Sequence, residues 1–270
     1  IPNWSQIPRG IICISERFAE QLFMAAIQKK KILVLGGGFA GLEFCKKFKH
    51  PDAQIQLVDR KNHHLFQPLL YQVATSGLSG PQIAHPLRAM FRDRPDIETC
   101  MDEIQEISLT EKTARGQKRV YEYDYLVLAA GAKTSFFGNN HWGEHVHGLK
   151  TLNDAVFLRS HALRCLEKAE MEEDPEEQRR LMTFIVVGGG PTGVEMAGAL
   201  AELGRHVMKR NFRRIDPKTI RVILVEGTDR ILGTYDESLS KRAREQIEEL
   251  GVEVRCGDMV EDVRARELDV

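Results

Sequence analysis

The sequence has no long apolar run and almost no net charge. Its longest apolar stretches, such as 125–132, have the length of a strand, whereas a membrane-spanning helix needs roughly 18 apolar residues. Contact with a membrane would therefore occur at its surface, or through residues outside these 270. The formal net charge of -1 gives no electrostatic argument for binding nucleic acid. With 42% hydrophobic and 29% charged residues, the composition is that of a globular protein with room for two domains.

Cysteine is scarce and dispersed, at Cys13, Cys45, Cys100, Cys165 and Cys256. No pair has the C-x-x-C spacing of a redox-active disulfide, and none has the ligand spacing of a zinc site. An odd, scattered set is typical of reduced thiols in a cytosolic protein. We therefore expect each cysteine to be a small core residue, with no disulfide framework and no metal centre.

The first 28 residues have no clear periodicity. The apolar run at 10–14 is too short for a signal peptide and is followed by charged residues. Met24 and the residues after it would be a natural beginning for the first strand. We expect 1–28 to be an N-terminal extension outside the functional fold, and the origin of 1–23 stays open.

Glycine is concentrated in two places, and the same pattern surrounds both. The run KILVL at 31–35 leads into GGGFAG and a helical stretch, and TFIVV at 183–187 leads into GGGPTG and a second helical stretch. Strand, G-x-G-x-x-G and helix in this order are the fingerprint of dinucleotide binding. The first glycine permits a tight turn, the second lets the backbone approach a pyrophosphate, and the third allows close helix packing. The predicted nucleotide-binding residues of the two turns are Gly36, Gly37, Gly38, Phe39, Ala40 and Gly41, and Gly188, Gly189, Gly190, Pro191, Thr192 and Gly193.

Each pattern continues to a strand that ends in an acid, at Asp59 and at Glu226. A carboxylate at this point can accept both hydroxyls of an adenosine ribose. Glu226 would repel a 2′-phosphate, so the second site is predicted to prefer NADH over NADPH, although Arg230 keeps NADPH open. Glu226 lies further from its glycines than the usual distance of about 20 residues. The extra segment, 205–220, is predicted as a helix extension and a basic loop that is either solvated or, less favoured, bound to acidic lipid.

Two such units imply two nucleotides, usually FAD in the first domain and a nicotinamide in the second. An apolar strand at 125–128 ends in the small residues 129–132, which would allow the backbone close to the flavin nucleotide as the chain crosses between domains. Residues 97–109 and 120–125 are predicted as the short antiparallel strands before this crossing. The predicted fold is α/β with two Rossmann-like domains, at 29–150 for FAD and 151–270 for NADH.

Several segments beyond the glycines resemble the type II NADH dehydrogenases, in the same order along the chain. They are NHHLFQPLLYQVATSGLSGPQIAHPLR at 62–88, YDYLVLAAGAKTSFFG at 123–138, EEDPEEQRRLMTFIVVGGGPTGVEMAGALAEL at 172–203 and RVILVEGTDRIL at 221–232. The resemblance, which runs from about 29 to about 260, implies the two-domain fold of pyridine nucleotide-disulfide reductases. It also implies an enzyme that passes electrons from NADH through FAD to a quinone. Its expected location is peripheral, on the cytoplasmic side of the inner (plasma) membrane, and a homodimer stays open.

The resemblance also assigns further residues. Those added to the FAD site are Arg60 and Gln72 on the flavin side, Ile104 at the adenine, and Ala130 and Gly131 where the site closes. Hydride passes directly from nicotinamide to flavin, so few catalytic side chains are expected. In this family Glu195 faces the nicotinamide–flavin junction. It would position the carboxamide or assist proton movement, and the alternative is a charge that complements the helix N-terminus.

The second half of the family's pattern has no counterpart in this sequence. It comprises the return to the flavin domain, a Gly-Asp strand for the ribityl chain, the quinone site and an amphipathic membrane anchor. We therefore expect this chain alone to hold FAD weakly and not to reduce quinone. The function assigned is that of a longer parent protein.

Other functions compete with this one. A disulfide reductase or a sulfide:quinone oxidoreductase needs cysteines at the flavin, and Cys100 and Cys165 would serve only if they converge. A nucleotide-binding fragment without turnover is the non-catalytic alternative. The histidines His141, His145 and His147 are interpreted as a surface loop, since no zinc-like spacing accompanies them. His63 and His64 are interpreted as part of a loop that caps the cofactor without titrating in function.

Overall fold

The computed structural model describes residues 29–203, 212–216, 219–265 and 267–270, and within these ranges the chain divides into two units. The first unit holds the described residues up to His64 together with Pro86–Gly131. The second holds Leu65–His85 and Ala132–Val270. The expected extension at 1–28 and most of the basic segment at 205–220 lie outside the described residues.

Both units contain strands and helices. The strands are β1 (Lys30–Leu35), β2 (Ala53–Asp59), β3 (His63–Leu65), β4 (Ala84–Pro86), β5 (Ile97–Met101), β6 (Ile104–Ser108), β7 (Thr113–Gly116), β8 (Val120–Glu122), β9 (Tyr125–Leu128), β10 (Thr183–Val187), β11 (Arg221–Glu226), β12 (Val252–Cys256), β13 (Asp262–Val263) and β14 (Leu268–Asp269). The helices are α1 (Phe39–Lys47), α2 (Leu70–Ala74), α3 (Gly80–Ile83), α4 (Leu87–Met90), α5 (Leu152–Met171), α6 (Pro175–Leu181), α7 (Pro191–Glu202) and α8 (Glu237–Glu249). Short 3-10 turns occupy Gln67–Leu69 and Asn140–Glu144.

The first unit is built on a parallel sheet with the strand order β5-β2-β1-β9. The central strand β1 is apolar throughout its second half because both of its faces are buried. Ile32 and Val34 belong to the core that includes residues of α1 and α4. Leu33 and Leu35 belong to the core that includes Ala114 of the antiparallel sheet β6-β7-β8. Two layers therefore cover the two faces of the sheet and fix the turn that follows Leu35.

The expectation of antiparallel strands throughout 97–109 is wrong in its first part. Residues Ile97–Met101 form β5, which runs parallel to β2 with Met101 beside Asp59. Between Ile97 and Leu128, the antiparallel strands are β6, β7 and β8, while β9 is parallel to β1. Strand direction depends on which neighbour the strand pairs with, and a five-residue segment of mixed polarity carries no information on that choice.

The second unit repeats the parallel arrangement with the strand order β10-β11-β12. Its core packs α7 against the sheet through Ala197, Leu200 and Leu224, and α8 adds Ile247. A separate core joins Leu70 and Val73 of α2 to Ala155 of α5. This packing explains why Leu65–His85 groups with the second unit, although it follows the first unit's acid in sequence.

A break separates the two helices that precede β10. Helix α5 ends at Met171, and α6 begins at Pro175 after the Asp174 carboxylate accepts the Glu176 N–H at 3.0 Å. The prediction of an α/β fold with two dinucleotide-binding units is confirmed. Within the described ranges, the helices are all too short or too polar to cross a bilayer.

Candidate dinucleotide-binding sites

Both glycine turns leave their strand in the same left-handed conformation. Gly36 has φ +108° and Gly188 has φ +103°, values that a residue with a Cβ rarely adopts. Each donates its N–H to the neighbouring strand at 2.8 Å, Gly36 to Val58 and Gly188 to Val225. The sheet thus holds the first glycine of each turn in place, and the chain turns directly into the next helix.

The third glycine of each motif is required by a contact inside the turn itself. A Cβ at Gly41 would lie 1.9 Å from the carbonyl oxygen of Gly36, and a Cβ at Gly193 would lie 1.9 Å from that of Gly188. Such a contact is sterically impossible without opening the turn. The close packing predicted for this position is therefore packing of the helix on its own entry turn.

The middle residues Gly37 and Gly189, which the fingerprint leaves free, are also constrained. A Cβ at Gly37 would lie 2.6 Å from a methyl carbon of Leu87. A Cβ at Gly189 would lie 2.9 Å from a methyl carbon of Ile231. Sequence reasoning gave no role to these two apolar side chains, which pack directly against the turns. The signal was present in the run of three glycines, since the fingerprint asks for only two of them.

The second glycines, Gly38 and Gly190, face open space. Each is the N-cap of the following helix without a side-chain cap, and a Cβ there would have no neighbour within 4 Å. Uncapped N–H groups and the positive end of the helix dipole suit an anion. Because these glycines have no side chain, a ligand can approach their backbone N–H groups closely. This arrangement fits a pyrophosphate, the group that FAD and NADH share.

The two acids hold the turns as well as marking the ends of their strands. Asp59 accepts the Gly37 N–H at 2.6 Å, and Glu226 accepts the Gly189 N–H at 2.6 Å. The other oxygen of Glu226 accepts the Thr228 N–H at 2.8 Å. Burial opposes ionisation of Glu226, but the hydrogen bonds from Thr228 and Gly189 outweigh it and lower the pKa of the carboxyl. Glu226 is therefore a fixed negative charge at neutral pH.

The carbonyl groups of the same middle glycines are held too, by donors that sequence reasoning did not identify. The Leu232 N–H donates to the Gly189 carbonyl at 2.7 Å. In the first unit the Nδ1 atom of His64 lies 3.0 Å from the Gly37 carbonyl oxygen. His64 is buried in β3, so it is part of the wall of the turn and not a flexible cap.

The remaining predicted FAD residues lie at different places. Ala130 follows β9 beside Gly36, whose added Cβ would meet the backbone of Ala129 and Ala130. Gly131 comes next with φ +69°, and Arg60 is exposed directly after the acid. Ile104 begins β6 and is half-buried. Gln72 lies on α2 in the second unit, where its amide donates to the Tyr71 hydroxyl at 3.0 Å.

The side chain of Glu195 projects from the second turn of α7. It is exposed, yet partial burial raises the pKa of its carboxyl above the usual range. In β3, the buried Nε2 atom of His63 has no hydrogen-bond partner among the described residues. An unsatisfied buried nitrogen is a group that a bound ligand would complete.

The cysteines differ from the expectation that each is a core residue. Cys45 is buried, which raises the pKa of its thiol to about 11, while Cys100, Cys165 and Cys256 are only half-buried. Cys13 lies outside the described residues. In the part of the chain that the structure describes, no cluster of His, Cys, Asp or Glu has the geometry of a metal site. The predicted loop at His141 is a 3-10 turn anchored by buried Trp142, whose indole donates to Asp262 at 3.2 Å.

Comparison with known proteins extends the likeness beyond the two turns. A family model described as pyridine nucleotide-disulphide oxidoreductase matches residues 30–270. The chain belongs to this family. The match covers both of the strand–glycine–helix units described above.

Within this family, the chain is similar to type II NADH:quinone oxidoreductases. The chain is 42% identical over 240 residues to the type II NADH:quinone oxidoreductase Ndh of Mycobacterium tuberculosis, covering 87% of this chain and 52% of the relative. A solved structure of NDH2 from Plasmodium falciparum in complex with NADH matches with a TM-score of 0.83 and 27% identity, over 89% of this chain and 50% of that one. The sulfide:quinone oxidoreductase of Aquifex aeolicus matches with a TM-score of 0.69 and 20% identity, over 88% and 53%, and shares the fold. The chain spans about half the length of these relatives.

The contact between the third glycine and its own turn gives a sharp test. In Gly193→Ala, the new Cβ would strike the Gly188 carbonyl, so affinity for NADH should fall about 10- to 100-fold. The matched control is Gly198→Ala in the same helix, where the Cβ would make an ordinary 3.7 Å contact with Leu250. Calorimetric titration with NADH measures both. Equal affinities in the two variants would contradict the account of the turn.

The fixed charge of Glu226 predicts cofactor selectivity. Glu226→Gln keeps an oxygen for the Gly189 N–H but removes the negative charge. The carboxylate and the 2′-phosphate of NADPH are like charges, which repel by a few kcal/mol when they lie a few Å apart near a surface. The preference for NADH over NADPH should therefore fall roughly tenfold or more in the variant. Since the pKa of Glu226 is lowered, the wild-type preference should hold through neutral pH and weaken only in acid. Glu253→Gln, which removes a charge elsewhere on the same sheet, is the control. An unchanged preference in Glu226→Gln would show that another group excludes NADPH.

Proposed function

We propose that the protein is the front part of an FAD-dependent NADH:quinone oxidoreductase of type II, in which NADH reduces FAD and the flavin then reduces a quinone. The observation that supports this most directly is that the chain contains a second complete turn, with its ionised Glu226, in addition to a first turn of the same geometry. Two pyrophosphate cradles in one chain suit an enzyme that binds two dinucleotides at once. Likeness to relatives named as NADH:quinone oxidoreductases supports the choice of donor and acceptor.

In this proposal the first turn and Asp59 bind the ADP half of FAD, with Ala130 and Gly131 closing the site and Ile104 near the adenine. Arg60 and Gln72 lie toward the flavin. We assign 29–150 to FAD binding and 151–270 to NADH binding. FAD, when bound, supplies the two-electron chemistry by accepting a hydride. The protein's part is to bind both nucleotides, to orient them and to hold the local charges.

The second turn and Glu226 bind NADH, and Glu195 acts beside the nicotinamide. Its carboxyl titrates at higher pH than an ordinary glutamate, which makes it suited to donate a hydrogen bond or to hold a proton near the reaction. We further propose a peripheral location at the cytoplasmic surface of the inner (plasma) membrane, because a quinone is dissolved in the bilayer.

A thiol-dependent reductase has less support. In the first unit Cys45 packs in the core on one face of the sheet, and Cys100 packs against the core on the other face. These two thiols therefore cannot form the redox pair that a disulfide reductase needs beside its flavin.

The proposal predicts a spectroscopic response. The purified chain reconstituted with FAD should show a flavin band at roughly 450 nm. NADH should bleach this band in the absence of oxygen, because hydride transfer converts the oxidised flavin into its reduced form. NADPH at the same concentration should bleach it more slowly. A retained flavin that NADH leaves oxidised would refute hydride transfer. Failure to take up any FAD would reduce the chain to a nucleotide-binding fragment.

The raised pKa of Glu195 predicts a second response. Glu195→Gln should slow flavin reduction by NADH about tenfold and remove a pH-dependent limb that lies above the usual glutamate range. An acid whose pKa is raised on folding loses stability as pH rises through that pKa. The variant should therefore unfold at higher urea concentration than wild type at neutral pH, but not in acid. Glu202→Gln, at the exposed end of α7, is the control. An unchanged reduction rate would leave Glu195 with the helix-charge role alone.

A further inference from the structure

The backbone of Gly37 is held on both its N–H and its carbonyl in the first unit. Asp59 accepts the Gly37 N–H at 2.6 Å, and Leu87 fills the space where a Cβ would lie. The carbonyl of Gly37 is left for His64, whose Nδ1 lies 3.0 Å away. A carbonyl oxygen can only accept, so Nδ1 carries the hydrogen and donates it. This fixes the protonated nitrogen of the ring on geometric grounds.

The imidazole has little freedom to leave this position. His64 is 5% exposed and lies in the middle of β3. The Phe39 ring meets it edge-on, with ring centroids 5.1 Å apart and an interplanar angle of 89°. Phe39 is the first residue of α1, so the same histidine contacts the turn through its nitrogen and the helix start through its ring face.

The direction of the Gly37 carbonyl decides the direction of the next N–H. All peptide bonds described here are trans, and in a trans peptide the C=O and the following N–H point in opposite directions. Holding the Gly37 carbonyl toward His64 therefore directs the Gly38 N–H the other way. Were the peptide to rotate, a carbonyl dipole would take the place of a donor at a cradle that needs to bind an anion.

In the second unit, a different donor holds the corresponding glycine carbonyl. There the Leu232 backbone N–H holds the Gly189 carbonyl at 2.7 Å, while Glu226 accepts the Gly189 N–H. The two turns thus share one clamp, an acid on the N–H and a donor on the carbonyl. Only in the first unit is the donor to the carbonyl a side chain that substitution can remove.

We propose that His64 is a positioning residue for the diphosphate of FAD: its Nδ1–H holds the Gly37 carbonyl so that the Gly38 N–H is aimed at the bound diphosphate. The inference rests on the proposed function, because it takes the first turn to be the FAD site. It gives His64 a specific role in place of the general capping role expected from the sequence.

Two substitutions separate hydrogen bonding from packing. His64→Asn can present an amide N–H near the position of Nδ1, whereas His64→Phe fills the space without a donor. FAD affinity of the apo-chain, from quenching of flavin fluorescence, should fall roughly tenfold in His64→Phe, or about 1.4 kcal/mol. It should stay within about threefold of wild type in His64→Asn, because the donor is kept. The two 31P resonances of bound FAD should shift in the Phe variant and return toward wild type in the Asn variant.

Affinity for NADH in the second unit is the folding control, because its turn is held by Leu232 and should not change in either variant. Equal FAD affinity in all three proteins, or an Asn variant as weak as the Phe variant, would overturn the role of the hydrogen bond while leaving FAD binding intact. If the wild-type chain itself binds no FAD, the proposed function fails and this inference fails with it.

Discussion

A hydrogen bond from a glycine N–H to a strand-end carboxylate holds each of the two turns in this protein. It is 2.6 Å long in both units, from Gly37 to Asp59 and from Gly189 to Glu226. The bond ties the middle of the turn to the neighbouring parallel strand, and that strand is itself fixed by a buried core on both faces. Without this hydrogen bond, the position of the left-handed first glycine would not be fixed relative to the N–H groups at the helix N-terminus.

The same carboxylate serves two purposes that could conflict. One oxygen of Glu226 holds the turn, and the other accepts from Thr228, while in the proposed function the group must also present a negative charge toward a ribose. Hydrogen bonds from the backbone stabilise the charged form, so the interactions that fix the turn also keep the acid ionised. Structural support and the proposed nucleotide selectivity therefore arise from one set of contacts.

Much of this arrangement could be predicted from local sequence, and the reason is physical. A strand, three closely spaced glycines and an acid at the end of the next strand are each demanded by short-range geometry, at Gly36, Gly41 and Asp59 for example. The direction of β5 could not be predicted, because pairing with β2 is a long-range choice. Nor could the grouping of Gln72 with the second unit, which depends on how α2 packs against α5. The supporting side chains Leu87 and Ile231 lie far along the chain from the glycines that they contact, so no spacing rule exposes them.

The two units differ most where a main-chain donor can be exchanged for a side-chain donor. In the second unit the segment after the acid turns back at Leu232, with φ +51°, and its own N–H reaches the glycine carbonyl. In the first unit the segment after Asp59 extends into β3 instead, so its backbone is directed along the strand and a histidine reaches the same carbonyl. The fold requires a donor at this point in both units, but the path of the chain decides which atom provides it. A residue such as His64 therefore becomes important for a site through a constraint that its own sequence neighbourhood does not reveal.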